Sequence, residues 1–498
     1  MEDTNIPTEL TQFYAFLFFL TFLTHPIAAT SAAPSTAHEL LNGFTATPDS
    51  SVTSFQPLLS DSVGNYSLGF LRVNQTQLAL AVIHVPSKEP LWIAGNGLLT
   101  QWSSKTRLSF NGSLVISNAR TGVLWSSHTA GGRVRLSDTS NLLIELMAAA
   151  DQNGGGPSIL WQSFDFPYNT LMEGQNFTSA MTLVSSNGIY SMRLGPDFIG
   201  FYAKFDASSD PGHLYFQHNP MEVKARVMEG EGSIRAILSP DGFIGMYQNG
   251  TAPVDVQPFS SFQQPGTGSR RVRLEPDGNL IGYYWTRSTW LVDFKQVSDP
   301  CDLPSACGPY GLCQRGKGCS CLDSQTSYTS GRCVTGETTI AGDDPCRKKY
   351  KVLKRIGVEV PNKEIMAYKI MSSLEKCESA CEVNCTCWGA VYSNTSGFCY
   401  TIDYPIQTLV EVLDDTKVGY FKIREGAGKS GTSTRLWVGL GILCGLVLLI
   451  LGIGGVVLYK RERRGVKGYV EEEGVNGGVG PYKNLGSASF KSIELSGR

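Results

Sequence analysis

The sequence predicts a mainly β chain: two tandem three-sheet domains, then small cysteine-stapled modules, then one membrane-spanning helix. Three observations carry this. From Asn65 to about Asp299, short β-type runs alternate with Gly, Asn, Asp and Pro turns at roughly ten-residue spacing. Twelve of the 13 cysteines crowd between Cys301 and Cys399. The stretch from Leu436 to Tyr459 runs 24 residues without a charge.

The 498 residues divide into several units, each long enough to bury a core or small enough to need staples. A balance of 42 Lys+Arg against 44 Asp+Glu gives no electrostatic footprint for nucleic acid. The leading segment 1–33 reads as a signal peptide. Its apolar run, Phe13 to Leu23, is too short to span a bilayer, and small residues from Ala28 to Ala33 suit cleavage. Glu2, Asp3 and Glu9 stand where a positive charge is usual, so the cleavage point is left open between Ala29 and Ala33.

Within the β region three segments repeat a strand, a Pro-Asp turn and a strand: Arg193 to Tyr202, Ile237 to Tyr247 and Arg273 to Tyr284. Recurrence of this kind predicts three like sheets about a pseudo-threefold axis, over residues 179–297. A looser set, Arg107 to Ile116 and Arg135 to Ile144, marks an earlier domain over 34–178, with Trp92, Trp125 and Trp161 expected to fill its centre. A dense, even set of cysteines then reads as disulfide framework: Cys301, Cys307, Cys313, Cys319, Cys321 and Cys333 in 298–335, and Cys346, Cys377, Cys381, Cys385, Cys387 and Cys399 in 346–424. Zinc, the rival, favours wider ligand spacing than Cys319-Ser-Cys321 or Cys385-Thr-Cys387. Residues 373–385 read as a short helix whose cysteines share one face.

After a Gly/Ser linker at 425–435, the uncharged run 436–459 reaches roughly 36 Å at ~1.5 Å per residue, enough for a ~30 Å hydrocarbon core. Lys460, Arg461, Arg463 and Arg464 follow at once and assign the tail 460–498 to the cytosol. Seven Asn-x-Ser/Thr acceptors, Asn65, Asn74, Asn111, Asn176, Asn249, Asn384 and Asn394, all precede the run. The expectation is a single-pass type I plasma-membrane glycoprotein with its amino-terminal region extracellular, touching lipid only through the helix.

The motifs Asn65-Tyr-Ser-Leu-Gly-Phe, Leu91-Trp-Ile-Ala, Gly122-Val-Leu-Trp-Ser-Ser and Leu160-Trp-Gln-Ser-Phe-Asp-Phe-Pro-Tyr-Asn-Thr-Leu resemble the bulb-type lectin domain of plant S-locus glycoproteins and G-type lectin receptor kinases. The order of the following modules is similar too. The resemblance implies tandem β-prism domains, an EGF-like module at 298–335 and an α+β PAN/apple module at 346–424. It also implies the pairs Cys301–Cys313, Cys307–Cys319, Cys321–Cys333, Cys377–Cys399 and Cys381–Cys387, leaving Cys346 for Cys385. No acidic run precedes Cys301 of the kind calcium-binding EGF modules use, and no cofactor or metal is implied.

Catalytic motifs are absent from the sequence. Of six His, two (His25 and His38) lie in or beside the leader, and neither His-Glu-x-x-His nor Gly-x-Ser-x-Gly occurs. The 39-residue tail is far shorter than the roughly 250 residues of a kinase domain. Tyr482-Lys-Asn-Leu485 fits a tyrosine-based sorting signal.

Sugar binding is the sharper hypothesis. The family's mannose strand reads Gln-x-Asp-x-Asn-x-Val-x-Tyr, and alternation brings its polar groups to one face. In the first domain the aligned positions are degraded: Ser109, Asn111, Ser113, Val115 and Ser117, then Ser137, Thr139, Asn141, Leu143 and Glu145. In the second, Glu275, Asp277, Asn279 and Tyr283 match except that Glu replaces Gln, with Ile281 in place of Val. Pro276-Asp277-Gly278-Asn279 is also ordinary turn chemistry, and the turn reading is favoured. The implied function is a non-catalytic receptor-like protein recognising an extracellular carbohydrate or protein ligand as co-receptor, decoy or adhesion protein. Its implied partners are a receptor kinase or a second copy of the chain. The alternative is a structural or adhesive glycoprotein with a degenerate lectin fold and no sugar binding.

Enzymatic deglycosylation of the chain expressed in plant cells is expected to increase its gel mobility. Unchanged mobility would count against the extracellular placement of 34–435.

Overall fold

A strand that carries one apolar row must find a second layer for it, and a meander of three such strands is too small to supply one. In the computed structural model, which describes residues 36–147, 158–205, 212–220, 232–264, 268–333, 350–403, 406–424, 445 and 447–460, the chain meets this demand twice by one plan. Three short strands come first, β1 (Glu39–Leu41), β2 (Phe44–Ala46) and β3 (Phe55–Ser60), and each joins a different sheet. β3 edges the meander β4 (Tyr66–Arg72), β5 (Gln77–His84) and β6 (Glu89–Ile93), with β7 (Thr100–Gln101) also pairing with β5. β2 edges β8 (Thr106–Asn111), β9 (Ser113–Asn118) and β10 (Gly122–Ser126), and β1 edges β11 (Arg133–Leu136), β12 (Leu142–Glu145) and β13 (Ile159–Gln162).

The second domain repeats the plan in the same nested order. Its short strands are β14 (Thr170–Met172), β15 (Asn176–Thr178) and β16 (Leu183–Val184). β16 edges β17 (Tyr190–Leu194), β18 (Ile199–Ala203) and β19 (His213–His218); β15 edges β20 (Arg235–Ser239), β21 (Phe243–Tyr247) and β22 (Asp255–Pro258). β14 edges β23 (Arg270–Leu274), β24 (Leu280–Trp285) and β25 (Trp290–Lys295).

In each domain the three inner faces share one core. The first packs Leu68, Phe70, Leu108, Phe110, Val134 and Ile144, all fully buried, and closes on a triangle of indoles. Trp92, Trp125 and Trp161 come one from the last strand of each meander, with ring centroids 5.9–6.1 Å apart in edge-on contact. Such pairs contribute about 0.5–1.5 kcal/mol each beyond their buried area. The centre expected from the sequence is therefore the observed one. The second core is lined by Tyr190, Phe201, Tyr215, Met246, Phe259 and Leu274 instead.

The repeated Ile-Gly step of the second domain has a steric cause. A Cβ on Gly200 would stand 2.9 Å from the Tyr202 ring, and one on Gly245 would stand 2.6 Å from the Tyr247 ring. An aromatic two residues on thus lies back over bare backbone.

The cysteine-rich part behaves as one body. β26 (Gly311–Gln314) and β27 (Gly318–Cys321) form a hairpin, followed by the small ribbon β28 (Tyr328–Thr329) and β29 (Arg332–Cys333). Further on come β30 (Tyr350–Ile356), β31 (Val358–Glu359), β32 (Lys369–Ile370), the helix Leu374–Val383, β33 (Cys387–Ser393), β34 (Phe398–Asp403), β35 (Leu409–Glu411) and β36 (Lys417–Arg424). Their main sheet runs β30-β36-β33-β34-β32. A second sheet, β27-β26-β35-β31, crosses between the two segments, with β26 and β35 parallel. Tyr310, Leu312 and Leu322 from the first segment share a core with Val360, Trp388 and Phe421 from the second.

Disulfides join Cys301–Cys313, Cys307–Cys319, Cys321–Cys333, Cys377–Cys399 and Cys381–Cys387, the pairs that the family resemblance implies. Cys385 is also disulfide-bonded, while Cys346 lies outside the described residues. The helix begins at Ser373, whose hydroxyl accepts from the Lys376 N–H at 3.4 Å, and its Cys377 and Cys381, four residues apart, face the sheet they are bonded to.

Residues 445 and 447–460 are helical. Among the described residues no helix is long and apolar enough to cross a membrane. All of the expected leader (1–33), part of the expected span (436–444 and 446), the linker 425–435 and the tail from 461 lie outside the described residues.

The seam between the two cysteine-rich segments makes a stability prediction. The buried Cys307 N–H donates to Thr408 Oγ1 at 2.8 Å, and the Thr408 N–H donates to Pro304 O at 3.1 Å. Thr408→Val strands the first donor and should lower stability by about 1–3 kcal/mol, measured as a lower chemical-denaturation midpoint. Loss of both segments in a single transition is expected, and two separate transitions would contradict the shared core.

Candidate functional site

The turn between β23 and β24 carries the four residues matched to the sugar motif, and the fold uses them unequally. Asp277 is exposed at the turn, where its Oδ1 accepts from the Asn279 N–H at 2.9 Å. Asn279 is buried and tied up: its Nδ2 donates to Val297 O at 2.8 Å, and its Oδ1 accepts from the Val297 N–H at 3.0 Å. The amide therefore clamps the segment that follows β25. Tyr283 donates its hydroxyl to Glu275 Oε1 at 2.7 Å. Burial and that hydrogen bond push the Tyr283 phenol well above its ordinary pKa.

The first domain repeats the clamp. Asn141, at the matching place before β12, donates to Gln162 Oε1 at 2.8 Å and accepts from Ser163 Oγ and the Phe164 N–H, each at 3.2 Å, just past β13. An asparagine at this point of the third meander holds the end of that meander in both domains, which is the turn reading made concrete. Glu145 is buried on Arg133 at 2.7 Å and Arg135 at 3.4 Å.

Tyr283 also faces the first domain. Across the strand pair it stands opposite Arg271, whose guanidinium lies 5.2 Å from the Tyr283 ring centre and 4.1 Å from that of Trp290. Arg271 is 1% exposed and reaches Glu89, which Arg273 also meets at 3.0 Å. His84 completes the junction. Its Nδ1 is 2.9 Å from Ser87 Oγ, and its ring makes edge contacts with Trp285 at 4.6 Å and Trp290 at 5.2 Å. The side chains from β5, β6 and their turn thus lock into β23, β24 and β25.

Electrostatics follow from the burial. Desolvation pulls the Arg271 guanidinium down to about 10, Arg273 adding to the shift and Glu89 opposing it. Burial alone would raise the Glu89 carboxyl, yet Arg271 and Arg273 hold it below its ordinary value. Burial, assisted by Arg271, lowers the His84 imidazole to about 4. Sequence reasoning missed this junction. The signal was Arg270-Arg271-Val272-Arg273, where three arginines on one strand force at least one charge inward.

All seven glycosylation acceptors, Asn65, Asn74, Asn111, Asn176, Asn249, Asn384 and Asn394, are exposed. The Cys307, Cys313 and Cys319 sulfurs lie close enough together to suggest a metal group, but each is in a disulfide.

Two three-sheet domains and the disulfide-rich segments after them define a multidomain, mainly β protein. The D-mannose binding lectin model matches residues 90–193, and the S-locus glycoprotein domain matches 251–326. A PAN domain-containing protein of Arabidopsis thaliana is 48% identical over 465 residues, covering 92% of each chain. A G-type lectin S-receptor-like serine/threonine-protein kinase of the same plant is 24% identical, over 84% of this chain and 54% of its own. The native fetuin-binding, two-domain agglutinin of Scilla campanulata is 19% identical, covering 52% of this chain and 97% of its own with a TM-score of 0.20. The chain belongs to the plant PAN domain-containing proteins that share lectin and S-locus glycoprotein domains with the G-type lectin receptor kinases.

The junction makes stability depend on pH. Between about 6.5 and about 4 the unfolded His84 takes up a proton that the folded one refuses, so stability falls as pH drops through that window. Glu89, held below its ordinary value, adds a further loss at lower pH. Melting temperatures across pH 4–7.5 should show the decline, and His84→Gln should flatten its upper part. An unchanged slope in the variant would remove His84 as the cause.

Proposed function

We propose that the chain is the recognition part of a single-pass cell-surface glycoprotein of the receptor-like type, non-catalytic, that engages an extracellular carbohydrate or protein ligand. On this reading the two three-sheet domains are β-prisms, 298–335 is an EGF-like module and 346–424 a PAN module. Residues 436–459 are the anchor, and the basic residues after them face the cytosol.

One observation carries the reading: the lectin domain and the three-sheet domain after it are locked together where the buried Arg271 meets the half-buried Glu89, so they present a single surface. Seven exposed acceptors are in keeping with a secreted ectodomain. Rigidity favours recognition because little ordering entropy is lost when a ligand docks. The reading extends to a co-receptor, decoy or adhesion role with a receptor kinase or a second copy as partner, and its support is the similarity to the kinases over most of this chain.

The alternative, a scaffold with no sugar binding, is favoured by the Asn279 clamp, which buries the amide and commits its Nδ2 and Oδ1 to Val297. Glycan-array binding by the full chain separates the two. Under the lectin reading, binding is seen and Asp277→Ala weakens it about tenfold or more, in keeping with the loss of a charge-assisted hydrogen bond. Silence of both proteins on the array supports the scaffold.

A further inference from the structure

A cavity among the described residues lies away from the sugar motif, where three parts of the fold meet. About 480 Å³ opens between the end of β18 with Phe205, β19, the loop after Cys301, and the turn Lys363–Ile365 with the end of β34. That volume falls within the usual range for small-molecule sites, roughly 300–1,000 Å³. Phe205, Leu214, Met366 and Ile402 supply an apolar lining.

Two carboxylates, Asp302 and Asp403, border the cleft, no lysine or arginine is among its described lining residues, and His213 is the one basic side chain there. Asp302 is already matched by Arg315 at 2.6 Å. Asp403 is exposed at the mouth and accepts only a neutral hydroxyl, Thr386 Oγ1 at 3.2 Å, with no ion-pair partner among the described residues. The walls are held in place from behind: Asn362 Nδ2 donates to Asp302 O at 2.7 Å, and Ser305 Oγ donates to Gln407 Oε1 at 3.0 Å.

We propose that this cleft binds a small amphipathic monoamine, its apolar body between Leu214, Met366 and Ile402 and its ammonium at the Asp403 carboxylate. Burial of the body supplies affinity, and the unmatched carboxylate selects the sign of the charge. The site is independent of whether the lectin domains bind sugar.

Three isosteric probes test it on the full chain by saturation-transfer NMR with titration: 4-phenylbutylamine, 4-phenylbutyrate and 4-phenylbutanol. The amine should bind most tightly. Asp403→Asn should weaken it about fivefold, the scale of an exposed ion pair, with the melting temperature unchanged. Ala367→Arg, at an exposed lining position, should reverse the preference toward the butyrate. Equal binding of all three probes, or an amine affinity unmoved by Asp403→Asn, overturns the proposal.

Discussion

A three-stranded meander buries only one face and leaves its first strand as an open edge. In both β domains that edge is closed by a short strand donated from upstream, and the donors are laid down in reverse order of their acceptors: β1, β2 and β3 serve the third, second and first meanders, as do β14, β15 and β16. No meander can complete its sheet until the chain has laid its donor alongside, so the three sheets must form around a common core. The same constraint fixes where the domains meet. The donor β14, which begins the second domain, pairs with β23, so the chain leaving the first domain runs directly into the sheet that faces it.

The Arg271 junction depends on that placement. A buried guanidinium is stabilising only when its charge and its faces are both satisfied, and truncating one partner of a buried pair is usually worse than never having had the pair. Here Glu89 meets the charge at Nη2 and Tyr283 and Trp290 cover the faces, while Nε and Nη1 are buried without a hydrogen bond among the described residues, and the two domains supply opposite sides of the arrangement. Tyr283 is thereby given an occupation that competes with ligand binding. In the family's mannose strand it is the last polar residue of the motif, but in this chain its ring supports a cation and its hydroxyl is held by Glu275. The replacement of Gln by Glu at position 275 makes sense in that light, since a carboxylate is the stronger acceptor for a phenol.

Much of the architecture was legible in the sequence. Strand alternation, the three Pro-Asp turns and the spacing of Trp92, Trp125 and Trp161 depend on local pattern, which a single chain displays directly. The favoured turn reading of Asp277 and Asn279 was legible for the same reason, because the Asn279 clamp on Val297 spans one hairpin. Other features join distant residues and leave little local trace. Arg271 and Glu89 are 182 residues apart, and Cys307 and Thr408 are 101 apart. Nothing in the spacing of the cysteines shows that β26 lies beside β35, so the two cysteine-rich segments read as separate beads although they share one core.

That shared core bears on how this part of the chain transmits force or position. A chain of small modules on short linkers would let each bend independently, and a ligand held by one would leave the rest indifferent. In this fold β26 pairs with β35, the turn Lys363–Ile365 packs on β19, and Arg271 reaches across to Glu89, so no described boundary between the two three-sheet domains and β36 hangs on a bare connection. A change of contact at one seam must therefore be taken up at the others. Short disulfide loops oppose local opening: three of the bridges span 12 residues each, and closing a loop of that size removes about 3 kcal/mol of unfolded-state freedom in the chain-entropy account. A displacement imposed at one face of such a body is therefore shared by the whole of it.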